Sequence, residues 1–563
     1  MRIGARAWLP ALLVLPLLAT GAGAGPVAQT GAESDWPLLV RLFDRWVQRA
    51  GELSLEGSPA PTRTTIAALD QHVYQAVAVF GELLLEQDLP SRPTRTEVVV
   101  GDGRIDSSRF FGRVDRAREL SRLVVEDEAA AIERDLWLAT DSSFKKAVQR
   151  FEVKRSALAS HGGEPPPPDW SPAPPVISLV ERRRPAVDSQ RLRRIAIEAS
   201  ARLRRVPGLR HGEVRVRAVE GDYVLVNSEG TRLVRPEGYA AVYAWADRLR
   251  DDGVRLHDAR QWVVRRPGDL PPIEAIVAEV ERMGRRLAAR ADAETVDYYE
   301  GPVLFEGRAA ADLLRTLLPP ELCGTPPAPS ARRSYRQRIR SGPRIGRRLL
   351  PAGWIVIDDP TLSLPGLAGG FSYDRQGVRA ERVELVRDGY VRDLLMTRVP
   401  RHDLQRSNGH ARGRVTGSWR ARMAQWFVEP PRLLSDTAVR ERARRAMRAA
   451  RLDRLLVVRR LASRRHGRGG LPRPTDAYWL TAEGQRRPVA SIEFQRVDRR
   501  TLRDILAAGG RMRLRPYLAG GGSSGVTGLP TVIQAPELIL VGGMEAVFPG
   551  ADKPAPDIPQ PPL

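Results

Sequence analysis

The sequence predicts an α+β protein: an N-terminal region of helices and hairpin strands, then a C-terminal region of short strands forming a β-barrel or sandwich. Three observations carry this. Apolar residues recur at helical spacing in several windows before residue 301. Strand-like runs lie between those windows, bounded by Gly, Asn and Asp turns. Beyond residue 301, short strand-like runs punctuated by glycine-containing turns dominate. At 563 residues and 42% apolar composition, the chain can bury more than one core, and its length fits two to four domains.

Taken in order, Arg2 and Arg6, an apolar run over 7–19 and Ala22-Gly23-Ala24 make a signal peptide over 1–24, cleaved after Ala24. An uncleaved anchor is the alternative; Pro10, Pro16 and the shortness of the run oppose it. A periplasmic or secreted chain is expected, with no membrane attachment after cleavage. Cys323 is the single cysteine, so no intramolecular disulfide is possible. A helix follows over 36–50, then strands over 62–69, 72–84 and 94–100, the last closed by the turn Gly101-Asp-Gly103. Residues 126–158 read as one long helix or two, and the proline-rich stretch 162–175 as an extended connector. Helices over 189–205 and 272–291 flank short strands across 213–264, among them a hairpin turning at Asn227-Ser-Glu-Gly230. Next come a helix over 307–318, an Arg/Pro/Gly-rich region over 319–351, short strands, helices near 435–450 and 501–508, and a disordered tail over 549–563.

The net charge of +23 raises a nucleic-acid reading. Only Lys145, Lys146, Lys154 and Lys553 are lysines; the rest of the 90 basic residues are arginines scattered through every predicted element. Such a skew fits coding bias better than a binding patch, so no nucleic-acid partner is expected. The densest run, 459–470, reads as a solvated hairpin tip.

Catalytic patterns are few. Gly521-Gly-Ser-Ser-Gly525 fits the Gly-x-Ser-x-Gly elbow, which would make Ser523 a nucleophile, but no strand precedes it and no helix follows, so a glycine-rich turn is expected. Asp358-Asp359 reads as a turn or ladder-end pair. The seven histidines form no tight pair on one helix face; His402 and His410 are the closest, in a loop.

Gly301-Pro-Val-Leu-Phe-Glu-Gly307 and the helix after it, Trp354-Ile-Val-Ile-Asp-Asp359, 371–380, 386–395, Ser407-Asn-Gly-His-Ala-Arg412 and Ala535-Pro-Glu-Leu-Ile-Leu-Val-Gly-Gly543 share order and spacing with one known family. The C-terminal half resembles the TldD/PmbA zinc peptidases, and 53–61, 96–102 and 135–141 are similar to exported members. The resemblance implies a two-lobed fold, with an α+β part over 25–300 and a β-rich, barrel-like domain over 301–548.

It also implies zinc in active relatives, held by His-Glu-x-x-x-His on the helix after Gly307 and by a distant cysteine. Zinc hydrolysis needs such ligands, an open position for water and a glutamate to take the proton. Here the first histidine falls on Arg315, the glutamate on Thr316 and the second histidine on Pro320, and 517–530 contains no cysteine. A cationic guanidinium and a proline ring supply no metal ligand, and threonine supplies no base.

The resemblance therefore implies a non-catalytic TldE-like subunit without its own cofactor, pairing with a TldD-like catalytic subunit or with itself and helping to enclose unfolded peptide. Peptide contact is expected at Asp374 and Gly377 in one turn and at Gly520, Gly521 and Gly522 in another, through backbone groups. Two alternatives stay open: an active hydrolase with relocated ligands, and a stand-alone peptide-binding module.

Overall fold

The computed structural model describes residues 36–110, 118–159, 167–180, 187–328, 342–462, 470–522 and 524–550. The expected signal peptide, Ser523, most of the expected tail and parts of the 162–175 and 459–470 stretches lie outside them.

Two sheets organise the chain. The first has eight strands: β1 (Pro61–Val79), β2 (Glu82–Ser91), β3 (Pro93–Val100), β4 (Arg118–Arg122), β5 (Ile177–Leu179), β6 (His211–Asn227), β7 (Arg232–Leu249) and β8 (Arg255–Val264). Their order is β4-β3-β1-β6-β7-β5, with β2 on β1 and β8 on β7. Period-two alternation gives each long strand two jobs. Even-numbered positions pack under helices. Ile66, Ala68, Val224 and Val226 meet α1 (Leu38–Gly51) and α2 (Ala129–Ala159). Tyr74, Ala76, Val214, Val216, Val242 and Ala244 meet α3 (Ser189–Arg204) and α4 (Ile273–Ala289). Odd-numbered positions face the C-terminal half: Val219, Tyr239 and Tyr243 pack with Ala368 and Val526, and Tyr223, Leu225 and Leu233 with Val415.

The second sheet comprises β9 (Tyr298–Glu306), β10 (Ile355–Asp358), β11 (Val383–Arg387), β12 (Tyr390–Val391), β15 (Gln425–Glu429), β16 (Arg454–Leu461), β17 (Pro474–Thr481), β18 (Arg486–Pro488), β19 (Glu493–Gln495), β20 (Ile505–Ala519) and β21 (Leu529–Val547); β13 (Ala411–Arg412) and β14 (Arg420–Ala421) form a separate ribbon. The order β12-β11-β10-β15-β21-β9-β16-β17-β18 is an open path, so the expected barrel closure is replaced by a mixed, open sheet of 11 strands. Strand β9 lies at its centre, antiparallel to β21 and parallel to β16. Its apolar run is buried on both faces. Val303 and Phe305 pack against α5 (Arg308–Leu317), and Leu304 packs against the helix Asp436–Ala449. A short helix, α6 (Pro319–Leu322), follows α5, and Asp436–Ala449 is α7.

Several expectations change. The strands expected over 62–69 and 72–84 are one strand, β1, carried through Asp70 and Gln71, and β2 extends the hairpin to Ser91. The helix expected over 501–508 is a 3-10 turn, Arg499–Asp504, after which Ile505 enters β20. Ladder pairing with β21 overrides the helical preference of Leu506-Ala-Ala508 there. The Arg/Pro/Gly-rich region 319–351 opens with α6.

The described part of the 162–175 connector does not hold domains apart; it packs between them. Asp169 is buried, with Lys154 Nζ at 2.5 Å and the Asp106 amide at 2.9 Å. The Ser171 amide donates to Arg398 O at 2.8 Å. Trp170 lies between two guanidiniums, with Arg63 3.9 Å and Arg398 4.4 Å from its ring centroid. Arg375 stacks on Tyr223 at 4.3 Å and pairs with Glu237, fastening the C-terminal half to β6 and β7.

Candidate functional site

Helix α5 leaves the end of β9 at Gly307, whose amide donates to Glu537 O at 2.7 Å. Ala309, Ala310, Leu313, Leu314 and Leu317 bury one side of it. Arg308, Asp312 and Arg315 are spaced four and three apart, the interval that aligns side chains on one helical face. Asp312 is 2% exposed, with Arg315 Nε 2.7 Å and Arg308 Nε 3.8 Å from its Oδ1. The Arg315 guanidinium also lies 5.3 Å from the Tyr517 ring centroid, and Tyr517 Oη accepts from Trp426 Nε1 at 3.1 Å. Thr316 Oγ1 donates back to Asp312 O at 2.7 Å, and Pro320 lies in the first turn of α6. All three positions are thus integrated into the helix and its packing.

The donor set does not fit zinc. Arg315 and Pro320 supply no ligand, and Thr316 is engaged with the backbone. Among the described residues, no three His, Cys, Asp or Glu side chains converge as a metal-binding group. Burial and the nearby charge of Asp358 push the Cys323 thiol up to about 12, far from the thiolate that ligation requires. His410 is fully buried, with Nδ1 2.9 Å from Asn408 O and Nε2 3.5 Å from Asp358 Oδ1, whereas His402 is exposed. Asp358 accepts the Ala424 amide at 2.8 Å and Asp359 the Thr361 amide at 3.0 Å, the ladder-end and turn roles expected of the pair.

A cavity of about 660 Å³ opens where the two halves meet. Tyr243 and Gln261 line it from β7 and β8, Arg308 and Arg315 from α5, Arg460 from β16, and Gly520, Gly521 and Gly522 from the loop after β20. That loop is tied to the first sheet. Tyr239 Oη donates to Val526 O at 2.9 Å, and Gln261 Nε2 to Gly525 O at 2.8 Å. Gly525 has φ +69°, and a Cβ there would lie 2.3 Å from the Tyr243 ring, so only glycine allows this approach.

Among the described residues, four arginines, Arg260, Arg308, Arg315 and Arg460, line the cavity, and no Asp or Glu does. Burial pulls the Arg308 guanidinium down to about 10; Asp312 opposes this, while Arg315 and Arg460 add repulsion. An adjoining recess of about 440 Å³ shares Arg260, Arg308 and Arg460 and carries the counter-charges Glu279, Glu306 and Asp476.

The expected peptide-contact residues separate. Gly520, Gly521 and Gly522 line the large cavity; Asp374 and Gly377 do not. Asp374 is 1% exposed and accepts the amides of Gln376 at 2.8 Å, Val378 at 3.0 Å and Ala411 at 2.9 Å. Burial still pushes its carboxyl up to about 6. Gly377, at φ +76°, presses on Thr231 at the β6–β7 turn, leaving a Cβ 2.8 Å from Thr231 Cγ2. The Asp374–Gly377 turn is therefore a docking element between the halves, with Asp374 accepting amides from its own turn and from Ala411, and Arg375 paired with Glu237. Arg260, Arg308 and Arg460 were missed by sequence reasoning. The available signal was Arg308-x-x-x-Asp312-x-x-Arg315 on one helix face.

Two open-faced α+β halves thus meet around a cleft that α5 borders. Residues 299–545 match the PmbA/TldA metallopeptidase C-terminal domain. That match places the C-terminal part of the chain, residues 299–545, with the TldD/PmbA family. The chain is 31% identical over 99 residues to a metalloprotease of Methanothermobacter thermautotrophicus, covering 17% of this chain and 21% of that protein. It is 27% identical over 164 residues to the metalloprotease PmbA of Escherichia coli, covering 29% and 34%. The matched segments thus span about a third or less of those relatives. Solved structures share the fold over greater length. TldE from Thermococcus kodakarensis aligns over 91% of this chain and 100% of its own, with TM-score 0.57 and 13% identity. A Thermotoga maritima protein described as a modulator of DNA gyrase aligns over 90% and 100%, with TM-score 0.56 and 15% identity.

Proposed function

We propose that this chain is an exported, non-catalytic TldE-like member of the family that pairs with a zinc-bearing relative and forms part of the enclosure for unfolded peptide. The observation that carries the reading is Arg315. At the position that the family resemblance gives to a zinc histidine stands a guanidinium held by Asp312 at 2.7 Å and set against Tyr517, on the wall of the interlobe cavity. The helix, its flanks and the cavity are kept while the ligand chemistry is absent, as a scaffold subunit requires. Export rests on residues 1–24, and pairing on the likeness to TldE.

The test is to mix the purified mature chain with a relative from the same genome that carries intact His-Glu-x-x-x-His. The expected result is one complex on size exclusion, with cleavage of an unfolded peptide that stops when the relative's motif glutamate is replaced by glutamine. Separate elution, with the relative's activity unchanged by this chain, would overturn the pairing.

A further inference from the structure

We infer that the interlobe cavity seats the free C-terminal carboxylate of an extended peptide, held by Arg308, Arg315 and Arg460, with the Gly520–Gly522 strip lying beside the peptide backbone. The inference rests on the reading of this chain as a peptide-holding subunit and names the chemical group that it holds.

Among the described residues, four guanidiniums line the cavity without a lining carboxylate. The nearest acid to two of them, Asp312, lies beneath the helix face and is shared, at 2.7 Å from Arg315 and 3.8 Å from Arg308. One carboxylate between two guanidiniums leaves a net positive seat. Arg460 lies 3.7 Å from Glu279, a carboxylate that Arg260 and Arg286 also use, with Asp258 as a further counter-charge. Arg260 is 3% exposed, and among the described residues its Nη2 has no hydrogen-bond partner. Buried guanidinium donors of this kind match the paired oxygens of a carboxylate.

The remaining lining favours a peptide over a small inorganic anion. A volume of about 660 Å³ is within the range of organic ligand sites and far exceeds what one oxyanion fills. Leu461, Ala462 and Leu518 give it apolar wall, and Gly520, Gly521 and Gly522 present backbone without side chains. Where zinc in active relatives would polarise a peptide carbonyl, a fixed organic cation here would bind the terminus.

Fluorescence anisotropy on the full mature chain tests this with one unfolded peptide in free-acid and C-terminally amidated forms. Amidation is expected to weaken binding about tenfold to a hundredfold. Arg308→Gln and Arg315→Gln, made separately, are expected to weaken the free-acid form and erase that difference. The peptide-side comparison does not depend on either variant folding. Equal binding of the two forms overturns the carboxylate seat but leaves the peptide-holding reading intact. Displacement by inorganic phosphate with no amidation effect also overturns it, assigning the cavity to another oxyanion. Binding of neither form overturns the seat, and the complex-formation test then decides the pairing separately.

Discussion

Replacing Arg398 by alanine lowers the unfolding free energy by about 3–5 kcal/mol, the range for breaking a buried ion pair by removing one partner. The Arg398 side chain is 2% exposed. Its Nη1 donates to Glu229 Oε2 at 2.6 Å and its Nε to Ser171 O at 2.9 Å, while its plane stacks on Trp170 at 4.4 Å. Three segments distant in sequence meet on this one guanidinium: the connector at 170–171, the β6–β7 turn at Glu229 and the C-terminal half at Arg398. Alanine leaves Glu229, which is 27% exposed, short of its partner, strips a donor from Ser171 O and opens a void beside the indole. Lysine keeps the charge but not the fork or the stack, so Arg398→Lys recovers only part of the loss. Urea denaturation measures both variants. A loss under about 1 kcal/mol for alanine would mean that the connector does not fasten the halves.

Glu279→Gln has the second largest expected effect, and its signature is pH dependence. Burial pushes this carboxyl up, but hydrogen bonds from Arg260 and Arg282 and the charges of Arg260 and Arg286 outweigh burial and hold it at about 2 against an ordinary 4.5. A carboxyl depressed by folding contributes stability that is fully present above the unfolded pKa and is lost as pH falls through the folded one. Discounted for solvent screening of this half-buried, arginine-shared carboxylate, the shift corresponds to about 1–2 kcal/mol. The difference between wild type and E279Q, read by urea denaturation, is therefore greatest at neutral pH, shrinks below about pH 4.5 and nears zero around pH 2. A difference unchanged from pH 7 to pH 3 would show that Glu279 acts through packing rather than charge.

What the sequence revealed follows the range of the interaction involved. Helix α5 was legible because its apolar residues recur at helical spacing; strand β9 was not read as a strand, although Val303-Leu-Phe305 is a continuous apolar run buried on both faces. The α+β class followed from such local patterns. Barrel closure was not legible, because whether β12 and β18 meet is settled by long-range pairing. The run around Leu502-Arg-Asp-Ile-Leu-Ala-Ala508 reads as a helix when isolated, and only its partner strand β21 extends it.

The site divides in the same way. The three consecutive glycines at 520–522 were visible as a strip, and they line the cavity. Asp374 and Gly377 looked equally turn-like. Nothing local showed that three amides would close on the Asp374 carboxylate or that Thr231 would press on Gly377. The cationic lining was hidden by composition. Arg260, Arg308 and Arg460 come from three separate elements, and among so many arginines none stands out until the fold gathers them. That Arg315, Thr316 and Pro320 stand where the family resemblance implies zinc chemistry is an expectation from sequence; the fold adds that Asp312 and Tyr517 engage Arg315.

The central claim is that this chain carries no zinc chemistry of its own. Metal analysis of the purified chain, with a peptidase assay on the same sample before and after chelation, tests it most directly. The account predicts zinc far below one ion per chain and no chelator-sensitive cleavage. About one zinc per chain, with peptide hydrolysis that a chelator abolishes and zinc restores, would contradict it.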